Sequence, residues 1–347
     1  MFAPPPRFAD LHGRRAVGWW LVAVALMIGA MVVIGGLTRL TGSGLSITEW
    51  DPILGVIPPL STADWMEAFQ KYQHIPQYIR EHQGMTLDQF KGIYWWEWTH
   101  RLLGRTIGVV FLVPFLFFVW RGWITRSAIP RMIVLFALGG LQGFVGWWMV
   151  ESGLETRVSV SQYRLAIHLG VALILFAAIL WTAFEYLRGA EARTGRHAVR
   201  LPYIFPALVY VQMLLGALVA GLHAGLIYNT WPSMDGRFVP EHPFFSQPWW
   251  INVFENAGLA QFDHRIGAYI VAIAAIVVLV SAMRGRLTGP ALTSAYAILI
   301  VTFAQIALGI VTLLNQAPIL LSALHQTTAL LLLSATLWNA FEVRRSS

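Results

Sequence analysis

The chain contains no cysteine among its 347 residues. That excludes disulfides, thiolate metal sites and cysteine-based redox relays, so any redox chemistry must use a bound cofactor. Charge is also scarce: Asp, Glu, Lys and Arg make up 12% of the residues and hydrophobic types 57%, with a mean hydropathy of +0.61. A water-soluble domain of this length would need a far more polar surface. What the chain has instead is long apolar runs. Eight of them, each long enough for a hydrocarbon core of about 30 Å, lie near Val17–Leu37, Trp96–Trp120, Met132–Val150, Tyr163–Leu187, Tyr203–Leu222, Phe262–Met283, Ala291–Leu314 and Ile319–Phe341. They are too long and too continuously apolar for barrel strands, so helices satisfy their backbone groups in lipid. The expected fold class is an all-α polytopic membrane protein with eight transmembrane helices.

The net charge of +7 does not indicate nucleic acid, because the basic residues sit in short loops between spans. Arg7, Arg14, Arg15, Arg121, Arg126, Arg131, Arg188, Arg193, Arg196, Arg200, Arg284, Arg286, Arg344 and Arg345 fall on one side with few acids beside them. The positive-inside rule makes that side cytoplasmic, which predicts both termini inside. Sixteen Trp, many at span ends, fit an interfacial aromatic belt. A short basic N-terminal segment leads straight into the first span and lacks the long Ser- and Arg-rich lead of a transit peptide, which points to a bacterial plasma (inner) membrane.

Between the first two spans lies an outer segment running from about Leu37 to Trp95, long and rich in Gly and Pro, as a structured cap over the outer face would be. Within it, Ser61 to Ile79 reads as one interfacial helix with Trp65, Phe69, Tyr72 and Ile75 or Ile79 on one side. Thr86-Leu87-Asp88-Gln89 looks like a capping box, so the next helix should start near Leu87.

The two halves of the chain repeat. Glu97-x-x-His100-Arg101 aligns with Gln261-x-x-His264-Arg265, Gln142-x-x-x-Gly146 with Gln305-x-x-x-Gly309, and Ala166-Ile167-His168 with Ala323-Leu324-His325. Four spans per half is an even number, so the halves share one orientation and a pseudo-two-fold axis should run along the membrane normal. The expected domains are two four-helix bundles, 1–190 and 191–347, joined by the basic inner linker Arg188–Arg200.

His100, His168, His264 and His325 each lie a few residues inside the outer end of an even-numbered span, and therefore at similar depth. His12, His74, His82, His197 and His242 fall in tails or loops, where a solvated role is expected. Ionisable groups inside a span are costly and mark candidate sites. Two neutral imidazoles from facing helices, with no thiolate or carboxylate beside them, suit axial ligation of haem iron better than zinc, which takes three or four ligands. Gly104, Gly146, Gly170, Gly216, Gly267 and Gly309 could admit a flat macrocycle or could serve ordinary small-residue helix packing. Arg101, Arg105 and Arg265 stand where propionates would face the outer interface, a position that snorkelling arginines also take. On a helix, Glu97 and His100 leave one face about 5 Å apart along the axis. The position equivalent to Glu97 in the second half is Gln261. A carboxylate can exchange a proton or stabilise positive charge and an amide cannot, so the first half should hold the chemistry and the second an electron-transfer haem.

At these residues the chain resembles the haem A synthase family. The resemblance runs through Gly35-Gly36-Leu37-Thr38-Arg39-Leu40-Thr41-Gly42-Ser43-Gly44-Leu45-Ser46, Glu97-Trp98-Thr99-His100-Arg101, His168, Asn229-Thr230-Trp231-Pro232, Asp263-His264-Arg265 and His325-Gln326. It implies two successive hydroxylations of a peripheral methyl of haem O, with loss of water from the gem-diol leaving the formyl group of haem A. It further implies a substrate haem between His100 and His168, a resident haem b between His264 and His325, and Glu97 as the catalytic carboxylate. Haem O synthase, terminal-oxidase assembly factors, membrane lipid and a second copy of the chain are the partner classes that follow. Some members carry a cysteine pair in the first outer loop. Its absence here resembles the alphaproteobacterial and mitochondrial branch and rules out a mechanism using those thiols.

A di-haem b electron-transfer cytochrome would use the same four histidines, but it has no need for Glu97 without a counterpart. A transporter fits less well, because the repeats are parallel and no pair of spans is broken at mid-membrane.

Overall fold

Residues 11–51, 54–155, 157–189 and 201–346 are described in the computed structural model. Arg7, Arg193, Arg196, His197, Arg200 and the boundary between 190 and 191 lie outside the described residues. In chain order the helices are α1 (Leu11–Leu40), α2 (Thr62–Gln73), α3 (Pro76–Glu81), α4 (Leu87–Trp120), α5 (Ile129–Leu154), α6 (Gln162–Arg188), α7 (Leu201–Gly221), α8 (Asn252–Glu255), α9 (Ala257–Arg284), α10 (Gly289–Leu314) and α11 (Ile319–Ser346). Among the described residues, eight of these, all but α2, α3 and α8, are long and apolar enough to cross a membrane. The eight predicted spans fall on them, with Leu222 one residue past the end of α7. Large apolar side chains such as Leu26, Val109, Val113, Ile273 and Ile300 point outward and exposed, as a lipid-facing surface requires. The chain is a multi-pass, all-helical membrane protein.

Helices α1, α4, α5 and α6 pack in a ring, α1 against α4 and α6, and α5 against α4 and α6. Helices α7, α9, α10 and α11 form a second ring in the same order. The rings meet where α6 packs on α7 and where α11 lies against both α1 and α6. One polar tie crosses this junction at depth: Gln326 Nε2 donates to the Val32 carbonyl at 2.7 Å. At the inner end, the buried carboxylate of Glu185 pairs with Arg131 and accepts from Trp181 Nε1 at 3.1 Å, while Glu342 pairs with Arg188 at 3.2 Å. These contacts tie α5, α6 and α11 together below the membrane core.

The first outer segment is a folded cap. Leu45, Phe69, Tyr72, Ile75, Phe90 and Tyr94 form a small apolar core of their own. The single helix expected from Ser61 to Ile79 is broken in two at Pro76, which has no N–H to continue α2 and holds Ile75 in extended backbone at φ −84° and ψ 153°. The break settles the inward face: Ile75 is buried and Ile79 is exposed. Both helix starts are boxed. Ser61 Oγ accepts from Asp64 N–H while the Asp64 carboxylate accepts from Ser61 N–H, and Thr86 and Gln89 do the same at α4. Those backbone donors hold the Asp64 carboxyl below its ordinary value. Burial in the cap pushes the Tyr72 hydroxyl up. His82, expected to be solvated, instead bonds that hydroxyl through Nδ1 at 2.5 Å.

Candidate functional site

Each of the four span histidines lies against a glycine of a neighbouring helix. A Cβ placed on Gly35 of α1 would sit 3.1 Å from His100 Nε2, and one on Gly216 of α7 would sit 3.2 Å from His264 Cε1. On Gly146 of α5 it would reach His168 Cε1 at 2.9 Å, and on Gly309 of α10 it would reach His325 Cε1 at 2.8 Å. The imidazoles occupy the volume that a side chain at each glycine would fill. Gly146, Gly216 and Gly309 therefore seat imidazoles, whereas Gly170 makes room for the Tyr210 hydroxyl between α6 and α7, which is helix packing. Gly35 appeared in the sequence only as part of a loop motif, and its role as a seat was missed.

His264 and His325 face each other with ring centroids 6.4 Å apart and planes at 78°. Two metal–nitrogen bonds of about 2 Å each, added to the half-widths of the rings, span about 6 Å, so one ion fits between them. His100 and His168 stand on α4 and α6 of the other ring of helices. No third Cys, Asp or Glu joins either pair among the described residues.

Glutamines hold three of these rings. Gln142 Nε2 lies 3.1 Å from His168 Nδ1 and 3.1 Å from the His168 carbonyl. Gln212 Nε2 lies 3.1 Å from His264 Nδ1 and 2.8 Å from the His264 carbonyl. Gln305 Nε2 lies 3.3 Å from His325 Nε2. Each amide stands four residues, about one helical turn, before the glycine that seats the same ring. Gln142 and Gln305 served in the sequence only to mark the repeat, and Gln212 carried no signal there. The shared Gln-x-x-x-Gly spacing could have found all three.

Glu97 is 2% exposed and fully engaged. Its Oε2 accepts from Ser46 Oγ at 2.8 Å and from Ile47 N–H at 2.8 Å, and its Oε1 accepts from Arg101 Nη2 at 2.6 Å and Nε at 3.1 Å. The carboxylate thus pins the loop after α1 onto α4. Arg101 extends the same clamp by donating to the carbonyls of Ile47 at 2.7 Å and Glu49 at 2.8 Å, and Arg105 donates to that of Asp51 at 2.6 Å. In the second half Gln261 donates to the carbonyls of Ala224 at 3.1 Å and Tyr228 at 3.2 Å. Arg265 donates to the carbonyls of Tyr228 at 3.1 Å, Thr230 at 2.9 Å and Ser233 at 3.2 Å. Its buried Nε has no partner among the described residues. Both outer loops are thus fastened over their histidine pairs by equivalent residues.

Residues 18–337 match the model of a family described as cytochrome oxidase assembly protein. Among curated relatives, a protein named Heme A synthase from Bradyrhizobium diazoefficiens is 51% identical over 322 residues, covering 92% of this chain and 89% of that protein. Others of the same name are 47% identical over 332 residues in Parvibaculum lavamentivorans, covering 96% and 95%, and 51% identical over 334 residues in Rhodopseudomonas palustris, covering 94% and 91%. With the match running through nearly every helix that carries the histidines, their seats and the loop clamps, the chain belongs to the cytochrome oxidase assembly protein family.

Proposed function

We propose that the chain oxidises a peripheral methyl of haem O to the formyl group of haem A, for use by terminal oxidases. In each of two successive hydroxylations one methyl C–H becomes C–OH, a two-electron oxidation that draws its oxygen atom and its oxidant from outside the chain, and the gem-diol then loses water to leave the formyl group. The half comprising residues 1–190 takes the substrate haem between His100 and His168, and the half comprising 191–347 takes a resident haem b between His264 and His325. The single observation that carries the reading is the fourfold recurrence of one seat, an imidazole lodged on a glycine of the adjacent helix, at equivalent places in two rings of four helices. Facing rings 6.4 Å apart, a cradle that a Cβ would fill, and the unpartnered Nε of Arg265 at the outer edge suit a tetrapyrrole with propionates directed outward. Arg101 and Arg105 are the corresponding cations of the first half.

A resident haem b supplies one-electron chemistry when bound. The remaining work belongs to the chain. The glycine seats and glutamine contacts fix the direction of each imidazole, and second-shell fixation of this kind tunes a ligand as well as orienting it. The cap and the second outer loop, clamped through Glu97, Arg101, Gln261 and Arg265, exclude water from the sites. With four donors already on its oxygens, the Glu97 carboxylate suits a fixed negative charge that stabilises a cationic centre at the substrate methyl better than it suits a proton shuttle. The arginines of the inner segments support cytoplasmic termini and sites toward the outer face of a bacterial inner membrane. Haem O synthase and oxidase assembly factors are the expected donor and recipient.

The test is haem extraction and chromatography on purified wild type beside His264→Ala and His100→Ala. Loss of haem b from the His264 variant alone, with haem O or haem A species dependent on His100, supports the division. Haem b in both halves, with no haem O or haem A even when haem O is supplied, would move the reading to a di-haem electron carrier.

A further inference from the structure

Three of the four histidines share a complete seat, and the fourth does not. Gln142, Gln212 and Gln305 each precede their glycine by four residues and contact the histidine it seats. The residue four before Gly35 is Met31. Its methyl Cε comes within 3.4 Å of a Cβ placed on Gly104, one turn along α4 from His100, so Met31 occupies the place in α1 that Gln212 occupies in α7. His100 makes no hydrogen bond to any described residue. A second difference follows the first. Gln212 fits only because residue 267 is glycine, where a Cβ would fall 2.0 Å from Gln212 Oε1. The equivalent residue of α4, three past His100, is Leu103.

An amide beside an imidazole does two things. It fixes the direction of the ring, from the Nδ1 side for Gln142 and Gln212 and from the Nε2 side for Gln305, and it makes turning the ring away cost a hydrogen bond. The Oε1 atoms of Gln142, Gln212 and Gln305 are all buried without a partner, so the amide nitrogen is the atom through which each glutamine holds its ring. A ring without such a partner can rotate off the axis at no cost in hydrogen bonds. On the assignment of substrate to the first half and haem b to the second, the three held histidines are His168 and both ligands of the resident group, and the unheld one faces the molecule that must enter and leave.

We propose that Met31 makes His100 the releasable ligand, and that Gln142, Gln212 and Gln305 are positioning residues that hold their histidines on the metal. The first half exchanges its tetrapyrrole through His100 while the second retains its own.

The test is the rate of haem transfer from each half of detergent-purified, haem-loaded protein to an excess of apomyoglobin, with the bis-histidine absorption and electron paramagnetic signals followed alongside. In the wild type the first half should release faster. Met31→Gln with Leu103→Gly, which rebuilds the second-half arrangement, should slow release from the first half by about 10- to 100-fold and sharpen the low-spin signal of that site, by the usual weight of outer-shell partners. Gln212→Met should speed release from the second half by a similar factor, and it carries the test if the double variant does not fold. Equal wild-type release from both halves, or release unmoved by both exchanges, overturns the proposal. So does a Met31→Leu variant that slows release as much as the glutamine does, because packing rather than the amide would then be the cause. A finding that His100 holds haem b would sink the substrate assignment instead, and the chromatography of the released haem separates the two failures.

Discussion

Replacing Gly309 with alanine tests the histidine seat at its tightest point. The new methyl would lie 2.8 Å from His325 Cε1 and 3.4 Å from Nδ1. Carbon atoms in ordinary contact sit about 3.5–4.0 Å apart, so the ring must retreat by more than half an ångström or α10 must part from α11. An imidazole is a rigid plane on two torsions and cannot fold away as a lysine end can. Overpacking of this kind costs about 1–3 kcal/mol, equivalent to about 5- to 150-fold in the affinity of the second half for haem. Helix propensity works the other way, since Gly→Ala inside a helix adds about 0.8–1 kcal/mol of stability. The expected result is therefore specific: haem b per polypeptide falls while the haem-free protein melts no lower than wild type. Gly146→Ala, at 2.9 Å from His168, should do the same in the first half, and Gly35→Ala and Gly216→Ala, at 3.1 and 3.2 Å, should do less. Gly143→Ala on α5 meets nothing within 4 Å and is the control. The assay is the pyridine haemochrome ratio with separation of haem types, beside thermal unfolding in detergent. A Gly309→Ala protein with the wild-type ratio and spectrum would refute the seat, and so would an equal loss in Gly143→Ala.

Glu97→Gln should loosen the loop after α1, because removing one partner of a buried ion pair costs about 3–5 kcal/mol locally; limited proteolysis within 41–51 should increase and haem O or the alcohol should accumulate, whereas normal haem A formation would show the carboxylate to be dispensable. At the inner end, Glu185→Gln removes the charge opposite Arg131 and should lower the unfolding temperature, a loss of about 3 kcal/mol, while the haem spectra stay unaltered; a spectral change would mean that the inner cluster reaches the sites. Gly36→Ala places a Cβ 1.9 Å from Gln326 Oε1 and should break the Gln326–Val32 bond between the two rings of helices; hydrogen exchange should then rise in the middle of α1, and unchanged protection would contradict that link. The Asp64 cap of α2 is acid-labile. Because Asp64 titrates below its ordinary value, its capping contribution is present above about pH 4, the unfolded value, and is lost as pH falls through the folded one. Protection of the amides at 61–65, relative to the intrinsic exchange rate at each pH, should fall there in the wild type and be low at every pH in Asp64→Ala.

Much of this architecture could be read from the chain, for identifiable physical reasons. A span announces itself because lipid leaves no alternative to a long apolar helix, and the four histidines stood out because polar atoms at that depth are rare and the repeat set them in pairs. Thr86 and Gln89 were legible because a capping box is local. Contacts between helices were not. The Gln-x-x-x-Gly spacing of α7 sets Gln212 beside Gln142 and Gln305 as one pattern but does not say which side chain it meets, since Gln212 and His264 are 52 residues apart and the rotation of each helix about its axis decides the contact. The cage around Glu97 was hidden for the same reason, because Ser46 and Ile47 approach it from a loop whose path depends on the cap. The broken helix at Pro76 is a different case. The apolar periodicity from Trp65 to Ile79 continues through the break, and the missing N–H of Pro76 outweighed the pattern.

The contrast between Glu97 and Gln261 bears on two questions at once. From sequence it separates a chemical half from an electron-carrying half. In space both residues stand at the same place on equivalent helices and fasten the same kind of loop, but with opposite hydrogen-bond polarity. The first loop offers donors, Ser46 Oγ and Ile47 N–H, which a carboxylate accepts; the second offers the carbonyls of Ala224 and Tyr228, which an amide can satisfy and a carboxylate cannot. Loop polarity alone would therefore select Glu in one half and Gln in the other, whatever the chemistry. The negative charge is still specific to the first half, so its catalytic part is isolated by breaking the clamp without touching the charge. Ser46→Ala removes one hydrogen bond to the carboxylate, about 1.5–3 kcal/mol, and leaves the Glu97–Arg101 pair in place. If the charge matters to the reaction, Ser46→Ala should open the loop to protease yet still make haem A, while Glu97→Gln should do neither job. Parallel losses of haem A in both variants would make Glu97 a loop fastener only, and the asymmetry between the halves would then rest on Met31.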